Sequence, residues 1–167
     1  LVTGGSGSNY GNDGRYNIET MDGSQFSDDL FLDNQTILIS GSWTFSNVYL
    51  ENNSNIIVQD SLVLNISNSL LIDSSSAIHA NGIGNNSQGA GGSGGNNACS
   101  GGGGYGGAGG DGIGENSGSG GNTYGEFPIL EEGSPGGNSY FGAVGGAGGG
   151  LINITSSFCS ISGEITA

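Results

Sequence analysis

The stretch of sequence that decides the fold runs from Leu30 to Ala80 and reads LFLDNQTILISGSWTFSNVYLENNSNIIVQDSLVLNISNSLLIDSSSAIHA. Apolar residues two apart recur along it, at Ile37 and Ile39, Trp43 and Phe45, Val48 and Leu50, Ile56 and Val58, Leu62 and Leu64, Leu70 and Ile72, and Ile78 and Ala80. Residues two apart on a strand share a face, so each pair predicts a short strand with one buried side. Turn-forming Asn, Ser and Asp residues lie between the pairs. The pattern predicts an all-β chain.

The spacing of these pairs favours a parallel β-solenoid, also called a β-helix. The pairs that begin at Val48, Ile56, Leu62, Leu70 and Ile78 are eight, six, eight and eight residues apart. Two such spacings make a turn of about 14 to 16 residues, which suits coils stacked along an axis. A sandwich of antiparallel hairpins is the competing fold. Asn-Gly and Asp-Gly hairpin turns are absent from this stretch, which favours the solenoid.

A glycine-rich lobe interrupts the strands at residues 82–150, which contain 30 of the 38 glycines. Residues 103–111 form three G-G-x triplets, and a period of three is that of a polyproline-II-type helix. We therefore predict a packed lobe of such helices, with a flexible linker as the alternative. The whole chain is predicted to be one module: an irregular lead-in at 1–29, solenoid rungs at 30–81, the lobe at 82–150 and returning rungs at 151–167.

The charge balance excludes several classes of partner. The chain has 15 Asp and Glu residues against one basic residue, Arg15, and a net charge of −14. No basic patch can neutralise nucleic-acid phosphates or bind an anionic membrane surface. No run approaches the roughly 20 apolar residues of a membrane helix, so no membrane insertion is expected.

Catalytic material is scarce, and we predict that the chain is not an enzyme. His79 is the single histidine, and Arg15 is the single fixed cation that could stabilise developing negative charge. Asp28, Asp29 and Asp73 are the acids best placed to resemble the carboxylates of polysaccharide-cleaving enzymes. Two adjacent acids are, however, more typical of a solvated turn.

No cofactor is predicted, although weak calcium binding stays open. Residues 106–114 match the G-G-x-G-x-D-x-U-x repeat of calcium-binding β-rolls once, and such sites are assembled between consecutive copies. Loose calcium ligands would be Asp13, Asp22, Glu131 and Glu132. A G-x-G-x-x-G match at residues 89–94 is not followed by a helix, so no dinucleotide site is expected.

Two kinds of modification are predicted, both suited to an extracellular or cell-surface location. N-glycosylation sequons occur at Asn34, Asn52, Asn65, Asn85 and Asn153, where corners or outward strand positions are expected. The two cysteines, Cys99 and Cys159, allow one pairing, and a disulfide between them would tie the lobe to the returning strands.

A family resemblance is carried by the two borders of the lobe. Residues 76–82 read S-A-I-H-A-N-G, residues 148–154 read G-G-G-L-I-N-I, and Gly133-Ser134-Pro135-Gly136-Gly137 lies between them. This order resembles the glycine-rich segment of large plant and protist cell-surface proteins. There an S-x-I-x-A-x-G strand enters a glycine lobe, and a G-G-G-x-I-x-I strand leaves it, within β-helical ectodomains. Bacterial adhesins and phage tip proteins have similar lobes. The resemblance covers roughly residues 62–167, implies a surface role and supplies no catalytic residues.

These observations predict an extracellular structural module that self-associates head to tail, because both ends of a solenoid expose strand edges. A domain of a longer polypeptide, capped by its neighbours, is the alternative arrangement. The second function class is a carbohydrate- or surface-binding adhesin with contacts at Tyr105, Tyr124, Tyr140 and Phe141. An ice-binding solenoid is a third class, but regular threonine arrays are absent.

Overall fold

The computed structural model describes residues 15–17, 29–126, 128 and 130–167. Seven strands follow one another in chain order: β1 (Arg15–Asn17), β2 (Leu30–Asp33), β3 (Thr36–Glu51), β4 (Asn55–Ile72), β5 (Ala77–His79), β6 (Leu151–Ile161) and β7 (Glu164–Thr166). The one helical element among the described residues is a 3₁₀ turn, Ser87–Gly89. The all-β prediction is therefore confirmed. Most of the predicted lead-in at 1–29 lies outside the described residues.

The strands form one largely parallel sheet. Strands β1 and β2 pair with β3, β3 pairs with β4, β4 pairs with β5 and β6, and β5 pairs with β7. The pairings among β1–β5 and β7 are all parallel. The antiparallel-hairpin alternative is therefore wrong for residues 36–79.

The strand register shows how many residues separate each position from the one with which it pairs. Thr36 pairs with Asn55, and Leu50 pairs with Ile72. The shorter turn predicted from the sequence is wrong, because β3 and β4 run continuously through polar positions that the sequence suggested were corners. The register shifts between Ile39 and Gly41 and between Phe45 and Asn47, but the paired strands continue through both positions. Each pass therefore carries three inward-facing pairs instead of two.

The inward-facing pairs form the core of the sheet, as the alternation predicted. Thirteen of their fourteen members are buried: Ile37, Ile39, Phe45, Val48, Leu50, Ile56, Val58, Leu62, Leu64, Leu70, Ile72, Ile78 and Ala80. The exception is Trp43, which is half-buried. Its Nε1 donates to the Ser40 carbonyl at 2.8 Å, and its ring lies parallel to Phe45 with centroids 6.4 Å apart. An indole at this position keeps its polar group satisfied at the edge of the core.

Two buried serines link successive passes of the chain. Ser54 Oγ accepts from the Gln35 backbone N–H at 3.2 Å and donates to the Glu51 carbonyl at 2.6 Å. On the next pass, the Ser76 hydroxyl accepts from the Ser54 backbone N–H at 3.0 Å. These hydroxyls satisfy backbone groups at a corner where the strand ladder is interrupted.

The described residues fall into two compact units. The sheet unit comprises those up to Ala80 together with Ile152–Thr166, and the glycine unit comprises Asn81–Leu151 with Ala167. Among the described residues of the glycine unit that precede β6, regular structure is limited to the 3₁₀ turn and an antiparallel bridge between Gly84 and Gly148.

Backbone hydrogen bonds between glycine segments hold the glycine unit together. Their donors recur three residues apart. Gly91 and Gly94 donate to the carbonyls of Pro135 and Asn138, at 3.0 and 3.1 Å. Several segments approach so closely that no side chain fits between them: a Cβ on Gly121 would overlap the Gly89 carbonyl. A Cβ would likewise overlap a neighbouring backbone carbonyl at Gly101, Gly118 and Gly120.

Candidate functional site

The sheet unit has an open apolar end at β6 and β7. Ile56, Ile78 and Ile165 are aligned in register, and their exposed fractions are 0%, 0% and 38%. On β6, Phe158 is 57% exposed and Ile161 45%. Within the described part of the chain, β6 pairs only with β4 and β7 only with β5. The inner column of aliphatic side chains thus continues into β7 without being covered there.

The candidate catalytic residues that the structure describes are not assembled into a catalytic group. His79 is half-buried, and its Nδ1 lies 2.8 Å from Thr166 Oγ1. Asp29 Oδ1 accepts from Asn47 Nδ2 at 2.7 Å. Asp28 and the Arg15 side chain lie outside the described structure. The residues that can be placed therefore provide no paired acid and base.

The Asp73 carboxylate accepts hydrogen bonds from the residues around the corner that follows β4. Its Oδ2 accepts from the Asn52 backbone N–H at 2.7 Å, and its Oδ1 accepts from the Ser75 N–H and hydroxyl, both at 2.9 Å. The Asn52 N–H bond, followed by hydrogen bonds from the Ser76 and Ser75 groups, lowers the pKa of Asp73 from 3.8 to about 2. These donors favour the ionised carboxylate, so Asp73 stabilises the corner as an anion.

Four of the five sequon asparagines are exposed, namely Asn34, Asn52, Asn65 and Asn85, and Asn153 is half-buried on β6. Asn34 and Asn52 adopt positive φ, 52° and 56°, a conformation that asparagine tolerates better than most residues. They differ at the side chain, because the Asn52 Nδ2 donates to Asp33 Oδ1 at 2.7 Å. Whether any of the five carries a glycan stays a prediction.

The predicted Cys99–Cys159 disulfide is absent: both thiols are free and exposed. Cys99 belongs to the glycine unit, where its N–H donates to Ile113 and its carbonyl accepts from Gly118. Cys159 lies on β6 of the sheet unit. An even cysteine count leaves a single possible pairing, but it does not bring two β-carbons to the roughly 4 Å that a disulfide needs.

The aromatic residues proposed as adhesin contacts separate into two groups. The prediction that Tyr124 is a surface contact is wrong, because Tyr124 is 6% exposed and its hydroxyl donates to the Glu132 carbonyl at 2.5 Å. Its ring meets Tyr105 edge to face at 5.2 Å, and glycine at position 89 leaves room for it. Tyr105, at 48% exposure, remains at the surface.

A tight turn at residues 139–143 presents the other aromatics. Tyr140 is 61% exposed and Phe141 78%, with their rings edge to face at 5.4 Å. Ser139 donates from its N–H to the Ala143 carbonyl at 2.8 Å, and Gly142 donates back to Ser139 at 3.1 Å. Val144, 82% exposed, adds a third apolar side chain that sequence reasoning missed.

The candidate calcium ligands have local protein partners. Asp111 Oδ1 accepts from the Gly120 N–H at 2.7 Å, and Glu131 Oε1 accepts from Gln88 Nε2 at 3.3 Å. Asp13 and Asp22 lie outside the described residues. Among those that are described, no group of three or more His, Cys, Asp or Glu side chains could hold a metal ion.

The buried serines Ser54 and Ser76 were missed by sequence reasoning. Ser54 precedes the inward-facing Ile56 by two positions, and Ser76 precedes the inward-facing Ile78 in the same way. The recurrence of this serine–isoleucine pattern was the available signal for the true length of one pass. The hydrogen bond between the Asn52 and Asp33 side chains had no comparable signal in the sequence. The sequon at Asn52 involves only three consecutive residues and says nothing about a contact with Asp33.

Comparison with models of known protein families, with curated proteins and with solved structures finds no match to this chain. No helix within the described ranges has the length and apolar character needed to cross a bilayer.

Proposed function

We propose that this chain is an extracellular structural module that serves as a glycosylated building block of a filament or cell-surface fibre. The observation that carries the proposal is the open apolar end of the sheet unit, where Phe158 and Ile161 on β6 and Ile165 on β7 are exposed. Such an end is suited to receiving another layer of β-strands.

A β-solenoid is the architecture we infer for the sheet unit. Parallel pairing of Thr36 with Asn55 and of Leu50 with Ile72 supports it, since the chain returns to the same side of itself in the same direction. Aligned inward columns, such as Ile37 with Ile56, support it as well. Stacked repeats of this kind share one continuous core.

Polyproline-II-type helices are the conformation we infer for the glycine unit. Their three residues per turn would present a backbone donor to the same neighbour at every third position. The donor pairs Gly91 and Gly94, and Gly109 and Gly112, have this spacing. A lobe held by backbone contacts would present a rigid body without a large apolar core.

Assembly would be driven by apolar contact and strand pairing rather than by opposite charges. The chain carries 15 acidic residues against one basic residue, so copies repel one another at long range. Salt screens such repulsion, with a Debye length of about 10 Å at 0.1 M ionic strength. Association should therefore strengthen as salt is added.

The decisive experiment is electron microscopy and sedimentation velocity of the full chain at rising concentration and salt. We expect filaments with an axial repeat from the wild type. Phe158→Glu and Ile165→Glu should remain monomeric, because each places a carboxylate on the open end. Ile113→Glu, at a position 81% exposed in the glycine unit, is the matched control and should assemble normally. Monomers at every concentration of the wild type would exclude the filament.

A carbohydrate- or surface-binding adhesin is the second candidate, favoured by the turn that displays Tyr140, Phe141 and Val144. Exposed aromatic faces pack well against apolar ligand surfaces. A glycan array would test this function. Binding that is lost in Phe141→Ala and retained in Phe158→Glu would favour the adhesin over the structural role.

A further inference from the structure

Asn52 links two carboxylates that lie on the passes of the chain on either side of its own. Its side-chain Nδ2 donates to Asp33 Oδ1 at 2.7 Å, and its backbone N–H donates to Asp73 Oδ2 at 2.7 Å. Asp33 ends β2, whose residues pair with those at the end of β3, and Asp73 follows β4. Asn52 therefore lies between two anionic groups and donates to one from its backbone nitrogen and to the other from its side-chain nitrogen.

Glycosylation would use the same nitrogen atom that holds Asp33. In N-glycan attachment, Nδ2 gives up one proton and forms a bond to the sugar carbon, while that carbon leaves the pyrophosphate of a lipid-linked donor. At Asn52, a carboxylate oxygen already lies 2.7 Å from this nitrogen, so the sugar and Asp33 would compete for its two hydrogens and for the space around it. The modified amide would also have one fewer hydrogen to donate.

The other exposed sequons lack this conflict. Asn34, Asn65 and Asn85 are exposed, and no hydrogen bond involves their side-chain nitrogens within the described residues. Asn65 lies within β4, paired in register with exposed Thr44. A glycan on these three side chains projects into solvent without displacing a partner.

We propose that the chain is glycosylated selectively, with glycans on Asn34, Asn65 and Asn85, and that Asn52 stays unmodified as a structural link between β-passes. This inference rests on the proposed extracellular function. It assigns different roles to Asn52 and Asn85, whose sequons both read N-N-S.

Site-by-site occupancy tests the inference on the full chain secreted from eukaryotic cells. Trypsin is of little use because the chain has one basic residue, but cleavage at acidic residues isolates each sequon. Asn34 falls between Asp33 and Glu51, Asn52 between Glu51 and Asp60, Asn65 between Asp60 and Asp73, and Asn85 between Asp73 and Asp111. Enzymatic deglycosylation of the denatured chain in heavy-oxygen water, carried out before this cleavage, marks each occupied asparagine as labelled aspartate.

The outcomes separate this inference from the proposed function. Label at Asn34, Asn65 and Asn85 with an unlabelled Asn52 supports selective glycosylation. Label at Asn52 comparable with that at the other sites overturns the inference and leaves the glycoprotein proposal standing. No label at any site overturns both.

A second measurement tests the structural role without any glycan. In protein made in bacteria, Asn52→Gly tolerates the positive φ and removes the side-chain donor. Asn34→Gly is the matched control, since Asn34 also has positive φ but donates no side-chain bond of this kind. Loss of a charge-assisted hydrogen bond should lower the melting temperature of Asn52→Gly by about 3–6 °C relative to Asn34→Gly. Equal melting temperatures would overturn the structural link.

Discussion

The sheet unit and the glycine unit are stabilised by opposite means. In the sheet unit, aliphatic side chains such as Leu64 and Ile78 fill the space between strands and are fully buried. In the glycine unit, several neighbouring segments approach so closely that no side chain fits between them, and a Cβ on Gly121 would overlap a carbonyl. One unit depends on the side chains that are present, and the other on those that are absent.

This difference shows that one chain can use two distinct forms of close packing. Burial of apolar surface stabilises the first, at about 25 cal/mol per Å² removed from water. The second buries little apolar side-chain surface, so backbone hydrogen bonds and dispersion between close backbones must offset the large conformational entropy of glycine. The two units should therefore respond in opposite ways to a gain or a loss of carbon atoms.

The largest effect is expected from removing carbons in the sheet unit. Leu64→Ala leaves a cavity at a side chain with 0% exposure, which should lower the free energy of unfolding by about 2–5 kcal/mol. Urea unfolding followed by circular dichroism measures the change. The control is Ile113→Ala in the glycine unit, 81% exposed, which should stay within about 0.5 kcal/mol of the wild type. Equal stability of the two variants would contradict the assigned core.

Adding one carbon to the glycine unit should have the next largest effect. Gly121→Ala forces a methyl group into the Gly89 carbonyl, an overpacking that costs about 1–3 kcal/mol. Hydrogen exchange should lose protection across residues 81–151 and keep it across residues 36–72. Gly110→Ala is the matched control, because its Cβ would meet open space. A tolerated Gly121→Ala would mean that these segments do not pack as closely as described.

A smaller effect is expected at the buried serine link. Ser54→Ala removes the acceptor for the Gln35 N–H and should lower the free energy of unfolding by about 1–2 kcal/mol. Exposed Ser74→Ala is the comparison and should be nearly neutral. Thermal unfolding of the two variants decides the point, and a stable Ser54→Ala would show that the hydroxyl is dispensable.

The smallest effect is a pH dependence confined to the sheet unit. The pKa of Asp73 is lowered to about 2 in the folded protein, so its contribution is fully present above the ordinary value of 3.8. Stability should fall as the pH drops from about 4 towards 2, because the unfolded state then binds the proton more readily. Melting temperatures across this range should fall less steeply in Asp73→Asn. Identical slopes would remove Asp73 from the explanation.

The local sequence pattern was sufficient to predict which face of each strand is buried, but it was insufficient to predict the register in which the strands pair. Alternation at period two identified Ile37 and Ile39 as inward-facing without any knowledge of their neighbours. The number of residues between paired positions was missed because the polar residues between the apolar pairs were interpreted as turns, whereas the chain passes through Gly41 and Ser42 inside β3. Whether a polar residue ends a strand depends on the partner strand beside it, which composition does not reveal.

The same limit applied to the candidate site. Tyr124 and Tyr140 are alike as residues in a glycine-rich segment, yet one is buried against Glu132 and the other is exposed on a turn. Cysteine number predicted a pairing, whereas the thiols are free.

The sequence by itself determined the all-β class, the inward faces of the strands and the strongly acidic character, because each follows from residue type and local period alone. Only the tertiary structure decided which strands pair, which aromatic ring is buried, and that Asn52 differs from Asn34. These properties depend on contacts between residues that are far apart in the chain, and such contacts are set by how the passes of the chain lie against one another.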